Sequence, residues 1–329
     1  MSKTTKVVLI VTAVLVVCIL GAAATLWAIS NQNGPLNWKG LFQSATADID
    51  ESAPLDLGGV SHLDIENVSG RIIVKPGEPH ATLTGHITTN TDKKTFLKVS
   101  SEDGSLTVQA DYDTVFPSFI NGDMVLTVYL PEEAGVITTV SGASATAEIS
   151  GVNFGSLSVH SASGTVAIAD CGGGSLDIDV ASGEVRVKNT GFSDADINCI
   201  SGNITVDGAA GAVKVGSTSG SVQVGNVSGA VDVSNTSGSA SVTLPQADIP
   251  SVSVHTVSGS VRLTLNPAAA FNLDVNTTSG GFQSDFDVTV SGKLSNKPVG
   301  EDISGQVNGG GADVTLSTVS GGIILTKDK

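Results

Sequence analysis

The chain has 329 residues, 39 of them glycine and only 4% aromatic, and its 32 acidic against 16 basic side chains give a net charge of −16. A surface so negative repels nucleic-acid phosphates and anionic lipid headgroups, which excludes both as partners of the folded part. The apolar content rests on Val, Ile, Leu and Ala, side chains that suit a narrow β interior better than a broad globular core.

In chain order, residues 1–6 carry Lys3 and Lys6 and read as a short cytoplasmic head. Residues 7–29 hold no charge, and roughly 20 apolar residues cross a bilayer as a helix. A membrane span is expected there. The next basic residue is Lys39, so the positive-inside rule keeps the head in the cytoplasm and places the rest outside. The expected location is the cell membrane, single-pass, with an extracytoplasmic C-terminal domain. Ala22, Ala23 and Ala24 offer signal-peptidase cleavage as an alternative, with export the outcome either way. Cys18 follows Val17, a poor fit to a lipoprotein box. Residues 30–57 mix Asn, Gly, Pro, Ser and acids without sustained periodicity and read as a linker.

The remainder, 58–329, is organised by Ser-Gly pairs. With serines 69, 141, 163, 182, 201, 219, 237, 258, 279 and 320 as anchors, most steps between 141 and 279 measure 18 to 22 residues. Six and four residues before the serine stand pairs such as Leu63/Ile65, Leu176/Ile178 and Val252/Val254. Three and five after it stand Ile72/Val74, Val185/Val187 and Val261/Leu263. Polar residues alternate with them, and a period of two means one buried and one wet face per strand. A unit of 18–20 residues therefore holds two short strands and two corners, and it buries its apolar side only by stacking on the next. The fold expected is all-β, a parallel β-solenoid. Glycine suits the Ser-Gly corner because it accepts positive φ, and Asp170, Asn189, Asn226 and Asn235 are expected at other corners.

Two stretches break the rhythm. Residues 76–131 hold alternating runs with longer connections, expected as a strand-rich insertion or cap over one end. Gln283–Gly311 also loses the spacing before the repeat returns at Ala312–Leu325, and Lys327-Asp328-Lys329 would then guard the last strand against end-to-end pairing.

Units of the form G-x-(L/V/I)-x-(V/I)-x-x-x-S-G-x-(V/I)-x-(V/I) behind one apolar N-terminal segment resemble the bacterial putative-adhesin β-strand-repeat family of envelope proteins. The resemblance covers roughly Gly58 to Leu325. It implies an extracytoplasmic β-solenoid named for adhesion, with some relatives tied to envelope-stress operons, and it supplies no catalytic residues.

The residues themselves offer little chemistry. No helical His-x-x-x-His, nucleophile elbow, phosphate loop or dinucleotide fingerprint occurs. His160 and His255 share a repeat position but lie about five coils apart, roughly 24 Å; His80 and His86 fall on one face of a strand-like run. Cys171 and Cys199 occupy different repeat phases and are expected to remain unpaired thiols. Asp177, Asp179, Asp196 and Asn198 occupy matching outward positions on adjacent coils, a candidate calcium site because the ion takes six to eight oxygen ligands; the glycines and aspartates of the nonapeptide calcium motif are missing, and a solvated acidic face is the plainer account. No other cofactor is expected.

The function this supports is a non-enzymatic, membrane-anchored envelope protein, adhesin, scaffold or sensing module, that binds a protein or cell-wall polymer along its surface. The alternative is a carbohydrate-active β-helix lyase or hydrolase. Such an enzyme needs acids beside basic and aromatic residues, and this chain has two tyrosines and two tryptophans, with Trp27 and Trp38 both near the apolar segment.

Overall fold

The computed structural model describes residues 45–89, 95–111, 123–290 and 300–329. The apolar segment 7–29, the head before it and residues 30–44 lie outside the described residues. Among the described residues every regular element is a strand.

The described residues begin with β1 (Ala45–Pro54), β2 (His62–Pro76), β3 (His80–Thr89), β4 (Leu97–Glu102), β5 (Ser105–Ala110) and β6 (Val125–Leu130). There follow β7 (Ile137–Ser150), β8 (Asn153–Phe154), β9 (Ser156–Ala169) and the 38-residue β10 (Gly172–Ala209). Shorter pairs come next: β11 (Ala212–Ser219) with β12 (Val222–Gly225), β13 (Val231–Ser237) with β14 (Ala240–Leu244), and β15 (Val252–Ser258) with β16 (Val261–Leu265). The chain closes with β17 (Phe271–Ser279), β18 (Phe282–Ser284), β19 (Thr289–Val290), β20 (Glu301–Val307), β21 (Ala312–Ser320) and β22 (Ile323–Lys327). All 22 join one hydrogen-bonded, largely parallel sheet.

Each rung of this sheet has a leading arm before its Ser-Gly corner and a trailing arm after it. Leading arms pair in parallel in the order β5, β2, β7, β9, β10, β11, β13, β15, β21, β17. Because β10 supplies two of them, eleven parallel rungs span about 48 Å at the usual strand separation. The alternating Val, Leu and Ile residues explain the stack. Leu63, Ile65, Leu176, Ile178, Val252 and Val254 on leading arms are all buried, as are Ile72, Val74, Val185, Val187, Val261 and Leu263 on trailing arms. Both arms thus turn one face into a common dry seam, while Asp177, Lys214, Asp232, Arg186, Gln223 and Arg262 face outward.

The spatial order departs from the chain order at both ends. β21 lies between β15 and β17, and β22 between β16 and β18, so the last coil of the sequence is the penultimate rung. The segment between β16 and β21 is in effect an insertion at the last corner; its described residues fold over the final coil as one further parallel rung, β17/β18, sealed by antiparallel β20 and β19. The other end mirrors this. β5 and β6 pair outside β2, and antiparallel β4, β3 and β1 close the edges.

Several expectations change accordingly. Lys327 does not guard an end, since β22 is hydrogen-bonded on both sides; its ammonium sits 5.2 Å from the Phe286 ring centroid instead. Residues 45–54, read within the linker, form β1, whose partner β3 could not be found from periodicity because the pairing is antiparallel and distant in sequence. The corner of the β7 rung is Ser144-Ala145 and not Ser141-Gly142: Ser144 pairs with Ser69 and Ala145 with Gly70, while Ser141 lies opposite Glu66 in mid-strand. Of the four polar corner candidates, Asp170, Asn189 and Asn226 adopt positive φ. Asn235 does not; it is buried inside the corner, and its Nδ2 donates to the Gly220 carbonyl at 3.1 Å.

Candidate functional site

The corners fix how outward side chains are presented. At Gly202 φ is +148°, and a Cβ built there would stand 1.7 Å from the Gly183 carbonyl oxygen. The same close approach runs from Gly183 through Gly220, Gly238, Gly259 and Gly321 to Gly280. Glycine at this place lets successive rungs sit in register, and register turns each outward position into a ladder at the strand separation of about 4.8 Å. Serines form such a ladder beside the glycines, with Ser219 opposite Ser201 and Ser237, and Ser320 between Ser258 and Ser279.

On the leading face the expected acidic cluster is present as a ladder, with the cation of Lys214 set opposite one of its members. Asp177 lies opposite Ser158, Asp179 opposite His160, Asp196 opposite Lys214 and Asn198 opposite Gly216. Asn198 Nδ2 donates to Asp196 Oδ1 at 3.1 Å, and His160 Nδ1 stands 3.7 Å from Asp179 Oδ2. Among the described residues no group of three or more His, Cys, Asp or Glu is gathered so as to hold a metal ion. Calcium therefore remains an expectation of the sequence that this arrangement of side chains does not add to.

The histidines are dispersed. His255 lies opposite Ser234 and Ser317 and contacts the Ser317 hydroxyl at 2.6 Å through Nδ1. His86 faces Asp48 of β1, with Nδ1 2.5 Å from Oδ1. His80 stacks on Tyr129, with ring centroids 4.1 Å apart and planes 8° from parallel.

Both described cysteines are free and buried. Burial pushes each thiol above its ordinary range; backbone hydrogen bonds oppose the shift, at Cys171 from Val152, Gly151 and Ala169 and at Cys199 from Ser201. They have the character of packed core residues and not of reactive thiols.

The trailing face carries a different chemistry that the sequence reasoning missed. Lys75 and Lys188 each stand six residues after an anchor serine, and Arg71 and Arg186 project outward from the same two rungs. The repeat alignment held this signal, since positions 75 and 188 are equivalent. Arg71 bonds Glu148 at 2.7 Å and Arg186 bonds Glu184 at 2.5 Å, while the Lys75 ammonium sits 4.8 Å from the Tyr129 ring centroid.

Comparison with known proteins places this architecture. A family model described as "Toastrack DUF4097" matches residues 60–326. No curated protein matches. Among solved structures, a "putative adhesin" from Parabacteroides distasonis is 9% identical with a TM-score of 0.36, covering 86% of this chain and 98% of its own. A "putative adhesin" from Bacteroides fragilis is 12% identical with a TM-score of 0.31, covering 85% and 97%. A "putative lipid binding protein" from Parabacteroides distasonis gives the same four values.

Proposed function

The chain belongs to the Toastrack DUF4097 family, and from that premise we propose that it is a non-enzymatic envelope protein, a β-solenoid held at the membrane by residues 7–29. Its extracytoplasmic part binds a protein or cell-wall polymer along its length. One observation carries this: eleven parallel rungs hold their outward residues in register over about 48 Å. Ladders of repeated weak contacts give useful avidity only when the partner is itself extended or repetitive, because each further contact then forms at high effective concentration. Adhesion is also the role named for two of the solved structures above.

The test is retention of the full chain, in neutral detergent micelles, on immobilised cell envelopes. Saturable retention that is lost when glycines 183, 202 and 220 are replaced by valine supports surface display by the rungs. Release of new sugar ends from acidic or neutral glycans would instead mark a carbohydrate-active enzyme.

A further inference from the structure

The outermost strands of the stack differ in how their free edges are protected. At one end β18 and β19 hold only three and two residues, and the Phe282 N–H that opens β18 donates to a Glu301 carboxylate oxygen at 3.2 Å. At the other end β4 has six residues, and the Phe96 and Leu97 amides at its start donate to the Glu51 carboxylate. β1 runs for 10 residues and, among the described residues, pairs only with β3. The Leu55 N–H donates to the Pro79 carbonyl at 3.1 Å, one step beyond the Pro54 and His80 pair. Bonded and non-bonded pairs alternate along an antiparallel ladder, so Asp48, Asp50, Ser52 and Pro54 turn their backbone groups away from β3, toward the open edge. The same parity brings their side chains to the outer face, where all four residues are exposed. Pro54, having no N–H, costs the ladder nothing in this position. Asp48 contacts His86 yet keeps 83% of its side chain exposed. No lysine or arginine lies on β1, β3 or β6; Arg71 and Lys75 of β2 stand three strands from β1, about 14 Å away.

We propose that the β1 edge receives, by strand addition, an extended segment of another protein that carries lysine or arginine at alternate positions. Main-chain hydrogen bonds from Asp48, Asp50 and Ser52 supply the docking, as a free strand edge does for an added peptide. Residues of the incoming strand opposite Asp48 and Asp50 share their outer face, so two alternate cations meet two carboxylates, and opposite charges directly across a strand pair are stabilising. A second copy of β1 would set the same acids against each other, and like charges so placed destabilise the pair. The two aspartates thus keep copies of this chain apart while admitting a basic strand, which fits a long edge left open where the others are short or capped. The site lies at the end of the stack and uses none of the outward ladders, so it goes beyond the surface-binding function above.

The experiment is fluorescence anisotropy of a labelled synthetic decapeptide alternating lysine and threonine, titrated with the full chain in neutral detergent. Binding that weakens with added salt is expected, with hydrogen exchange slowed at the amides of Asp48, Asp50 and Ser52. Asp48→Asn with Asp50→Asn should weaken it about tenfold, the scale of two exposed charge pairs. Ser52→Pro keeps the charge and should weaken it about fivefold, the scale of one main-chain hydrogen bond. The same peptide with the backbone amides of its lysines N-methylated should bind about tenfold more weakly. Asp177→Asn with Asp196→Asn, on the leading face, should change nothing. Equal binding of the methylated peptide, or undiminished binding by either β1 variant with native circular dichroism, overturns the proposal. So does dimerisation of the peptide-free chain that Ser52→Pro abolishes, which would give the edge to a second copy. A wild-type chain that ignores the peptide also overturns it, and retention on envelopes then still decides the broader function separately.

Discussion

Replacing Gly202 by alanine adds one carbon at the place where two rungs come closest. That carbon would stand 1.7 Å from the Gly183 carbonyl oxygen and 2.8 Å from its carbon, where ordinary contact begins at 3.4 Å. The obstacle is backbone, so relief requires the rungs to part by well over an ångström, against the ladder bonds on either side. A side chain at φ +148° adds roughly 1–3 kcal/mol, and overpacking of this kind costs about 1–3 kcal/mol. A loss of about 2–6 kcal/mol follows, centred on β10. Gly281→Ala is the matched control, since nothing lies within 4 Å of its built Cβ; its effect should stay within about 0.5 kcal/mol. Urea unfolding of the full chain gives the total, and hydrogen exchange locates it, with amides of β10 and β11 losing protection in the first variant only. Equal stability of the two variants would refute the role given to the glycine column.

Three further outcomes follow from particular contacts. Asn235→Thr should stabilise the chain by about 1 kcal/mol. The buried Asn235 Oδ1 lacks a hydrogen-bond partner, whereas Thr256 and Thr277 at the same place each donate to the carbonyl of the glycine three residues on; an unchanged urea midpoint would count against this. Because burial raises the Cys171 and Cys199 thiols above the ordinary 9.0, folding favours their neutral form. Their contribution is complete below pH 9.0 and fades as pH rises through the folded values, so the urea midpoint should drop more steeply above that pH than in the Cys171→Ala, Cys199→Ala variant, and iodoacetamide should label neither thiol in the folded chain at neutral pH. Replacing residues 266–313 by a copy of the corner 245–251 should expose the outer edges of the last coil. The product should form dimers and stop there, because the opposite end keeps its own antiparallel closure; sedimentation showing a folded monomer would contradict the capping role.

The seam was legible because burial on both arms follows a strict period of two, and every Val, Leu or Ile in the aligned pairs obeys it. Register was legible through the Ser-Gly anchors wherever glycine is sterically required. It failed at the β7 rung, where Ala145 takes the glycine position and a nearby Ser141-Gly142 imitates the motif. The placement of the last coil was not legible at all. Its alternation is the same whether it ends the stack or is covered, and the difference lies in the parallel pairing of β17 and β18 onto β21 and β22, which leaves no mark in local periodicity. The acidic ladder was visible from aligned aspartates, and the equivalence of Lys75 and Lys188 was visible in the repeat alignment; the Arg71–Glu148 contact between rungs was not, because it depends on the register of β7.

Disulfide trapping gives the most direct check on the order of the rungs. Ser258, Ser279 and Ser320 are exposed, and Ser320 is paired with each of the other two. In a chain lacking its three native cysteines, Ser258→Cys with Ser320→Cys and Ser279→Cys with Ser320→Cys should each cross-link under mild oxidation. Ser258→Cys with Ser279→Cys should not, because two rungs separate them by about 10 Å, beyond the reach of a disulfide. Efficient linkage of residues 258 and 279, with failure of either pair involving 320, would show that the coils follow chain order and that the last coil is not enclosed.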